Sequence, residues 1–425
     1  MKTGNSFTHT LNYHHLDTSM GVDKKSGGIY FPNLDGLRFL SFLMVFLHHT
    51  VVYDFSLLNI KGSFIERLLS TIGYGGSGVS IFFVLSGFLI TYLLLQEKEV
   101  NGKINIPFFY VRRGLRIWPL YYVVIIFSVI IYPLLKSALG NQLSLAMTPS
   151  YYYTFLSNFD VINIKGNTDT GGQLMSTVTW SVSIEEQFYL VWPLLFSLIP
   201  RKFYLYIFAV IIFLSLCFRF LHGNDSIVLY FHTFSVAMDL AIGGLTAYMF
   251  FYDAGKLKLF FGQLNKKKIV AVYLIGFGWL LYGDHHLEGH SSYPFAHLLS
   301  VLFFAFIILE QNFASHSFYK FSNNRLFSFW GKYTYGLYML HSIVLYVLNI
   351  IIWKVLNFQN PTGFSASLLR VAIGLPLSCC VAYFSYEYFE KRFLKLKEGF
   401  YGNNNFLKRI FYRPIRPKEV LLQKN

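Results

Sequence analysis

Ten long apolar runs, separated by short basic stretches, dominate this sequence. A helix of about 20 mostly apolar residues is long enough to cross a bilayer. Of the 425 residues, 54% are hydrophobic and 13% are charged, whereas a soluble domain carries roughly 25% charged residues. This pattern excludes a disordered chain and predicts an all-α integral membrane protein built as a bundle of about ten transmembrane helices.

The predicted spans differ mainly in how many polar residues they contain. They cover residues 34–53, 79–96, 117–135, 179–198, 203–222, 231–252, 269–283, 293–312, 330–353 and 367–390. The stretch 142–162 is shorter, contains Pro149 and is rich in Ser, Tyr and Asn. Because such residues suit the headgroup region, we interpret it as an interfacial or re-entrant segment. Whether it enters the membrane stays open at this point.

The basic residues predict how the bundle is oriented. The chain has 36 Lys and Arg residues and a formal net charge of +15. With ten alternating spans, 28 of the 36 fall in the segments on one side. Since cytoplasmic segments carry the excess of Lys and Arg, both termini are predicted to be cytoplasmic. These residues lie between apolar runs, so the charge fits contact with anionic headgroups, and no nucleic-acid partner is expected.

This topology predicts three parts of the chain. Residues 1–33 form a polar cytoplasmic segment without the apolar core of a cleavable signal peptide, residues 34–393 form the transmembrane domain, and residues 394–425 form a basic cytoplasmic tail. Because the tail is short, no additional esterase-like domain is expected after the last span.

Ionisable residues within spans are the candidate functional residues, because each costs on the order of 2.5–3.5 kcal/mol on insertion scales. The first span carries Arg38 near its cytoplasmic end and the pair His48–His49 further along. Arg38 and His49 are about 16 Å apart along the helix axis and near the same face. Arg38 also fits a simple anchor at the inner interface, and only one of the two histidines can line a given cavity.

Polar residues of two other spans are predicted at a similar depth. Glu185 and Glu186 lie about two turns from the outer end of the fourth span, and His341 lies in the ninth. Convergence of His49, the two carboxylates and His341 would create a buried site. The alternative is that these side chains pair inside the bundle and have only a structural role.

A cluster of arginines marks the inner end of the third span, where Arg112, Arg113 and Arg116 occur together. Arginine suits bidentate phosphate contacts. With Arg38 at the same level, an anionic cytosolic ligand is expected here, although a positive-inside anchor explains the residues as well.

Three other features give weaker evidence for a functional site. Asp239 is an intramembrane carboxylate without an obvious partner, and Arg219 lies near a span end, where we expect it to reach water. The outer loop 283–290 contains three histidines and a glutamate, but their spacing fits no standard metal site, and no metal is expected. The three cysteines lie in apolar runs and suggest packing roles.

Six segments in order resemble membrane acyltransferase family 3, the multispan O-acyltransferases of cell-surface glycans. They are LDGLRFLSFLMVFLHH (34–49), GYGGSGVSIFFVLSGFLIT (73–91), FYVRRGLRIWPLYY (109–122), TWSVSIEEQFYLVWP (179–193), GKYTYGLYMLH (331–341) and SYEYFEKRF (385–393). His49 falls on the histidine of the family's first-span motif. Two departures are His48, where an aromatic is commoner, and Lys391, where a proline often follows the Glu390 equivalent.

The resemblance implies transfer of an acyl group, most commonly acetyl from cytosolic acetyl-CoA, to a hydroxyl of an extracytoplasmic carbohydrate or glycoconjugate. It implies a multi-pass protein of the bacterial inner (cell) membrane, with the bilayer, acyl-CoA and the acceptor as partners. The implied catalytic residues are His49, as general base or nucleophile, Glu185 or Glu186 to orient it, and Ser181 and Tyr189 to stabilise the oxyanion. Arg38, Arg112, Arg113 and Arg116 would bind CoA phosphates, and Trp180 and His341 would contact substrate.

A proton-coupled secondary transporter is the main alternative, because a relay of Glu and His side chains would also explain the buried charges. A transporter explains less well why the arginines cluster at the cytoplasmic end of the third span. The sequence also shows no pair of broken helices in matching halves of the chain. The sequence leaves the acceptor, the acyl chain and the oligomeric state open.

Overall fold

The computed structural model describes residues 21–22, 29–52, 75–138, 147–164, 176–286, 293–354 and 364–402. In this part of the chain the protein is helical, apart from a two-stranded antiparallel ribbon of β1 (Gly21–Val22) and β2 (Ile29–Tyr30). Most of the predicted N-terminal segment and the tail from residue 403 lie outside the described residues.

Ten helices of 16 residues or more occur in these ranges, one at each predicted span. They are α1 (Pro32–Leu47), α2 (Gly75–Asn101), α3 (Ile106–Ile126), α4 (Thr179–Leu198), α5 (Tyr204–Leu221), α6 (Thr233–Tyr252), α7 (Lys266–His286), α8 (Tyr293–Phe313), α9 (Thr334–Lys354) and α10 (Phe364–Phe384). Shorter helices cover Tyr132–Ala138, Pro149–Tyr153, Ser157–Asn163, Ser226–Phe231, Ala254–Gly262, Arg325–Gly331 and Lys391–Gly402.

Seven of the ten long helices are long and apolar enough to cross a membrane. The three others are α1, which has 16 residues, α4, which carries the adjacent Glu185 and Glu186, and α7, which begins with three lysines. The finding supports a membrane protein with several spans, and the count of ten stays a prediction. The segment around Pro149 forms two short helices, each too short to span a bilayer.

The chain continues without interruption after α10. A π-helical stretch, Ser385–Glu390, leads directly into the helix Lys391–Gly402. The family's usual proline is replaced here by Lys391, which keeps its backbone N–H, so the helix need not end at this point.

Helix α2 lies at the centre of the bundle, since it is the most buried of the seven candidate spans, whereas α5 and α10 are the least buried. α2 packs most closely against α6. A Cβ atom on Gly87 would lie 2.0 Å from the Leu240 carbonyl oxygen, and one on Gly243 would lie 2.1 Å from that of Val84. These glycines let the two backbones touch, as small residues do between helices in membranes.

The start of α1 is fixed by hydrogen bonds to the connection between α8 and α9. Asn33 donates from Nδ2 to the Gln311 carbonyl oxygen at 2.8 Å and accepts from the Ser322 backbone N–H at 2.8 Å. Lys320 donates to the carbonyls of Glu310 and Gln311 at the end of α8. This network sets the position of α1, which carries Arg38 and His49.

The α2–α6 contact gives a stability prediction. Gly243→Ala forces the backbones apart, and overpacking of this kind costs about 1–3 kcal/mol. We expect a lower midpoint of thermal unfolding in detergent. Gly255→Ala, in the helix Ala254–Gly262, is the matched control, because a Cβ atom there meets nothing within 4 Å. Equal midpoints for the two variants would contradict the close contact.

Candidate active site

His49 and His341 form the centre of the site. α1 ends in a π-helical turn, His48–Val52, and Nδ1 of His49 lies 2.9 Å from Nε2 of His341 in α9. The two rings are stacked, with centroids 5.1 Å apart and planes 6° apart. His341 is fully buried, whereas His49 is exposed. The structure thus brings together two of the predicted positions, and His49 is the member that a substrate can reach.

The hydrogen bonds determine which nitrogens of the neutral pair carry protons. Nδ1 of His341 lies 2.8 Å from the Tyr338 carbonyl oxygen and 3.1 Å from that of Leu337. Because a carbonyl only accepts, Nδ1 of His341 is the donor and its Nε2 is an acceptor. His49 must then donate from Nδ1, so the lone pair of its second nitrogen, Nε2, remains for a substrate.

Ser181 and Tyr338 form a second polar pair, next to the two histidines. Their hydroxyl oxygens are 2.7 Å apart and buried. The Tyr338 ring centroid lies 6.0 Å from that of His341, and Phe82 of α2 packs edge-on against Tyr338. The predicted Ser181 therefore lies next to the histidines through Tyr338, which the sequence analysis had not selected.

Glu185 lies one helical turn beyond Ser181. Its Oε1 accepts a hydrogen bond of 2.6 Å from Ser86 of α2, and its Oε2 accepts one of 3.2 Å from Tyr189. We expected Glu185 or Glu186 to orient His49, but among the described residues the side chain that accepts the hydrogen bond of His49 is His341. Depth along a helix does not fix its rotation, and α4 turns Glu185 toward α2.

Glu186 contacts a different helix. Its Oε2 accepts a hydrogen bond of 2.9 Å from Nε1 of Trp118 in α3. Its Oε1 is buried and has no hydrogen-bond partner among the described residues. The carboxylate lies within electrostatic range of both Glu185 and Arg113.

Three of the predicted arginines, Arg38, Arg112 and Arg116, lie within electrostatic range of the fourth, Arg113. Arg113 lies 5.7 Å from the centre of the Tyr189 ring, and Arg116 is exposed. Arg38 forms an ion pair of 2.8 Å with Asp35. Both Arg38 and Arg113 are within electrostatic range of Glu185. The arginines therefore continue the polar series that begins at His49.

Arg112, like Arg38, is already paired with a carboxylate, but its partner lies on a different helix. Its Nη2 lies 2.8 Å from Oε2 of Glu97, and its guanidinium stacks at 4.5 Å over the Phe108 ring. Glu97 also accepts from the Asn105 backbone N–H. Arg112 thus holds α3 to the end of α2, a pairing that the arginine motif alone did not reveal.

Three residues that complete this site were not predicted from the sequence. Ser86, Trp118 and Tyr338 hold Glu185, Glu186 and Ser181 in place. Ser86 interrupts an apolar run, which was a detectable signal, and Tyr338 precedes His341 by three residues on the same helix. Nothing in the sequence marked Trp118 as a site residue, because aromatic residues are common near the ends of membrane spans.

Within the described ranges, no group of three or more His, Cys, Asp or Glu side chains is arranged to hold a metal ion. Residues 287–290 of the histidine-containing outer loop lie outside those ranges, and so does every side chain of 283–286.

Comparisons with known proteins agree with the motifs. Over 343 residues the chain is 28% identical to the O-acetyltransferase OatA of Staphylococcus aureus, covering 75% of this chain and 51% of that protein. Over 169 residues it is 37% identical to the peptidoglycan O-acetyltransferase OatA of Listeria monocytogenes, covering 39% of this chain and 24% of that protein. The chain thus spans about half or less of the length of these relatives. No solved structure matches it.

The family model of the acyltransferase domain matches residues 31–387, which include every residue of the site described above. A transporter has no support from this match. Because the match covers most of the sequence, the chain belongs to the acyltransferase domain family, the membrane acyltransferase family 3 that its motifs resemble.

Proposed function

We propose that this protein is a membrane O-acetyltransferase that moves an acetyl group from cytosolic acetyl-CoA to a hydroxyl of an extracytoplasmic carbohydrate, with His49 as general base. The observation that carries the proposal is the hydrogen bond between Nδ1 of His49 and Nε2 of the buried His341. It holds an exposed imidazole with one nitrogen ready to accept a proton.

The reaction follows from this arrangement. Nε2 of His49 takes the proton of the acceptor hydroxyl while the hydroxyl oxygen bonds to the thioester carbonyl carbon. The carbon–sulfur bond then breaks, and the protonated His49 returns the proton to the thiolate, giving the acetyl ester and CoA thiol. His341 is a positioning residue, since it accepts from Nδ1 of His49 throughout. His49 as a transient acetyl carrier remains the alternative for this step.

Hydroxyl groups beside the histidines stabilise the oxyanion, the negative oxygen that forms when the acceptor oxygen adds to the thioester carbonyl. Ser181 and Tyr338 are the nearest pair, with oxygens 2.7 Å apart. Tyr189 donates to Glu185 and lies against Arg113. We therefore assign Ser181 and Tyr338 to the reacting carbonyl, and Tyr189 with Glu185 and Glu186 to the path of the donor.

The donor enters between the arginines in this proposal. Arg38, Arg113 and Arg116 bind the CoA phosphates, and Arg112 keeps α3 in place through Glu97. The polar series from the arginines through Glu185 and Ser181 to His49 accommodates the extended pantetheine arm. Arg38 and His49 lie about 16 Å apart along their helix, so a long donor is needed to connect them.

The excess of basic residues on one side supports a cytoplasmic position for the arginine end. This orientation requires the ten long helices to span the membrane with both termini inside, residues 34–393 to form the catalytic domain, and residues 394–425 to lie against the inner leaflet. The bacterial relatives are named O-acetyltransferases, one of them for peptidoglycan. We accordingly place the protein in the bacterial cell membrane and propose a cell-envelope glycan as acceptor, with Trp180 among its contacts.

The histidine pair is tested with purified protein and radiolabelled acetyl-CoA. His49→Ala should lower the rate of acetyl transfer by roughly 10²–10⁴-fold, the usual contribution of a general base. His341→Leu removes the acceptor for Nδ1 and should also lower kcat. His341→Gln offers a carbonyl oxygen there and should recover much of the activity.

The matched control is His48→Ala, which removes the neighbouring imidazole and should leave the rate near that of the wild type. If His341→Gln were as inactive as His341→Leu, or His49→Ala remained active, the assignment of the pair would be wrong.

The arginine site is tested by comparing acetyl-CoA with S-acetylpantetheine, which lacks the phosphates. Arg113→Ala and Arg116→Ala should raise KM for acetyl-CoA about tenfold or more, because a charge-assisted hydrogen bond contributes about 1.5–3 kcal/mol. The KM for S-acetylpantetheine should stay unchanged. Arg112→Ala should mainly lower thermal stability. Equal effects on both donors would show that the arginines do not bind phosphate.

A further inference from the structure

The connection between α6 and α7 is rich in exposed lysines. It contains the nine-residue helix Ala254–Gly262, which three residues separate from α7. Arg219, which we expected to reach water, is 2% exposed and donates to the Ser235 hydroxyl at 2.7 Å. The lysines of this connection and of the first turn of α7, by contrast, are all exposed. We call the surface that they form the basic face: Lys256, Lys258, Lys266, Lys267 and Lys268.

The basic face carries little negative charge of its own. Asp253 is the one acidic residue between positions 253 and 268, and it pairs with Lys256, with Oδ1 and Nζ 2.7 Å apart. Within the described part of the chain, the other four lysines have no ion-pair partner. Four uncompensated positive charges on one short segment attract an anion from outside the protein.

The helix Ala254–Gly262 lies at the end of a candidate span. It packs on the bundle through Leu257 and Phe261, which are buried. The ring centroid of Phe261 is 5.6 Å from that of Phe306 and 6.4 Å from that of Phe313, the last residue of α8. Because α8 is long and apolar enough to cross a membrane, the helix Ala254–Gly262 is at the level where a bilayer meets water.

The same short helix exposes two large apolar side chains. Leu259 is 69% exposed and Phe260 is 57% exposed. Leu259 is two residues from each buried position, so it lies on the opposite side of the helix. Exposed apolar residues beside lysines are typical of a helix that lies in the headgroup region of a membrane.

The basic face lies at the same end of the bundle as the arginines. Tyr252, the last residue of α6, lies under the Arg201 guanidinium at 3.5 Å from the ring centre. Tyr204, three residues after Arg201, accepts a hydrogen bond of 2.8 Å from Lys98. Lys98 directly follows the glutamate that binds Arg112. The ends of α2, α4 and α6 therefore meet on one side, the side of the arginines.

We propose that the basic face binds the headgroups of anionic phospholipids on this side of the membrane, with Leu259 and Phe260 among the acyl chains. Lysines near an anionic bilayer surface are attracted to it, and buried apolar side chains strengthen the attachment. A soluble phosphate would meet the lysines but would leave both apolar side chains exposed, which favours a lipid. The inference depends on a bundle that lies in a membrane and does not depend on acetyl transfer.

Lipid competition at a labelled position tests this inference. The full-length protein carries bimane on Gly255→Cys, a position where a Cβ atom meets nothing within 4 Å, after Cys217→Ala, Cys379→Ala and Cys380→Ala. Quenching by brominated phosphatidylglycerol or brominated phosphatidylcholine in mixed vesicles gives the relative binding constant of the two lipids beside the helix. Phosphatidylglycerol should bind about tenfold more tightly, as one charge-assisted hydrogen bond would give.

The lysines are tested in one combined variant, Lys258→Gln, Lys266→Gln, Lys267→Gln and Lys268→Gln, which should bind the two lipids nearly equally. Arginine at the same four positions is the matched control, because it keeps the charge and should keep the preference. Phe260→Ser should weaken quenching by both lipids, since the helix then loses contact with the acyl chains.

Soluble glycerol 3-phosphate separates a lipid site from a site for free phosphate, and it should leave the preference for phosphatidylglycerol unchanged. Loss of the preference on its addition would overturn the inference. So would equal binding of the two lipids by the labelled protein with all its lysines, or a preference that persists in the glutamine variant.

Discussion

The cost of burying ionisable groups among apolar helices organises this bundle. Four such groups within the described helices bond a neighbouring helix: His49 to His341, Glu185 to Ser86, Glu186 to Trp118 and Asp239 to His297. Because these partners come from different helices, the same bonds that compensate desolvation also fix helix rotation. Polar contacts of this kind thereby link helices within an otherwise apolar bundle.

The helices were predictable, since apolar runs of about 20 residues require only one-dimensional information. Each predicted span overlaps a long helix, although α3 covers Ile106–Ile126 where residues 117–135 were predicted. Which faces meet was not predictable: His341 rather than a glutamate contacts His49, and Arg112 pairs with Glu97. Such contacts depend on how each of two helices is rotated about its axis. The π-helical turn at His48–Val52 further changes the direction of the side chains at the end of α1.

Helices α2 and α4 have two different polar faces. One carries Ser86 and Glu185, which bond each other, and the other carries Ser80 and Trp180, which lie near Asp239 around a small internal space. The glycines of α2 and α6 bring these two helices into backbone contact.

The proposed function requires acetyl transfer between opposite sides of a sealed membrane. Sealed proteoliposomes test this with radiolabelled acetyl-CoA outside and tetra-N-acetylchitotetraose, a β-1,4-linked N-acetylated tetrasaccharide, enclosed. We expect label to accumulate on the enclosed glycan when the arginine end faces outward, and not with His49→Ala. Label that appears only on glycan supplied on the same side as acetyl-CoA would contradict it.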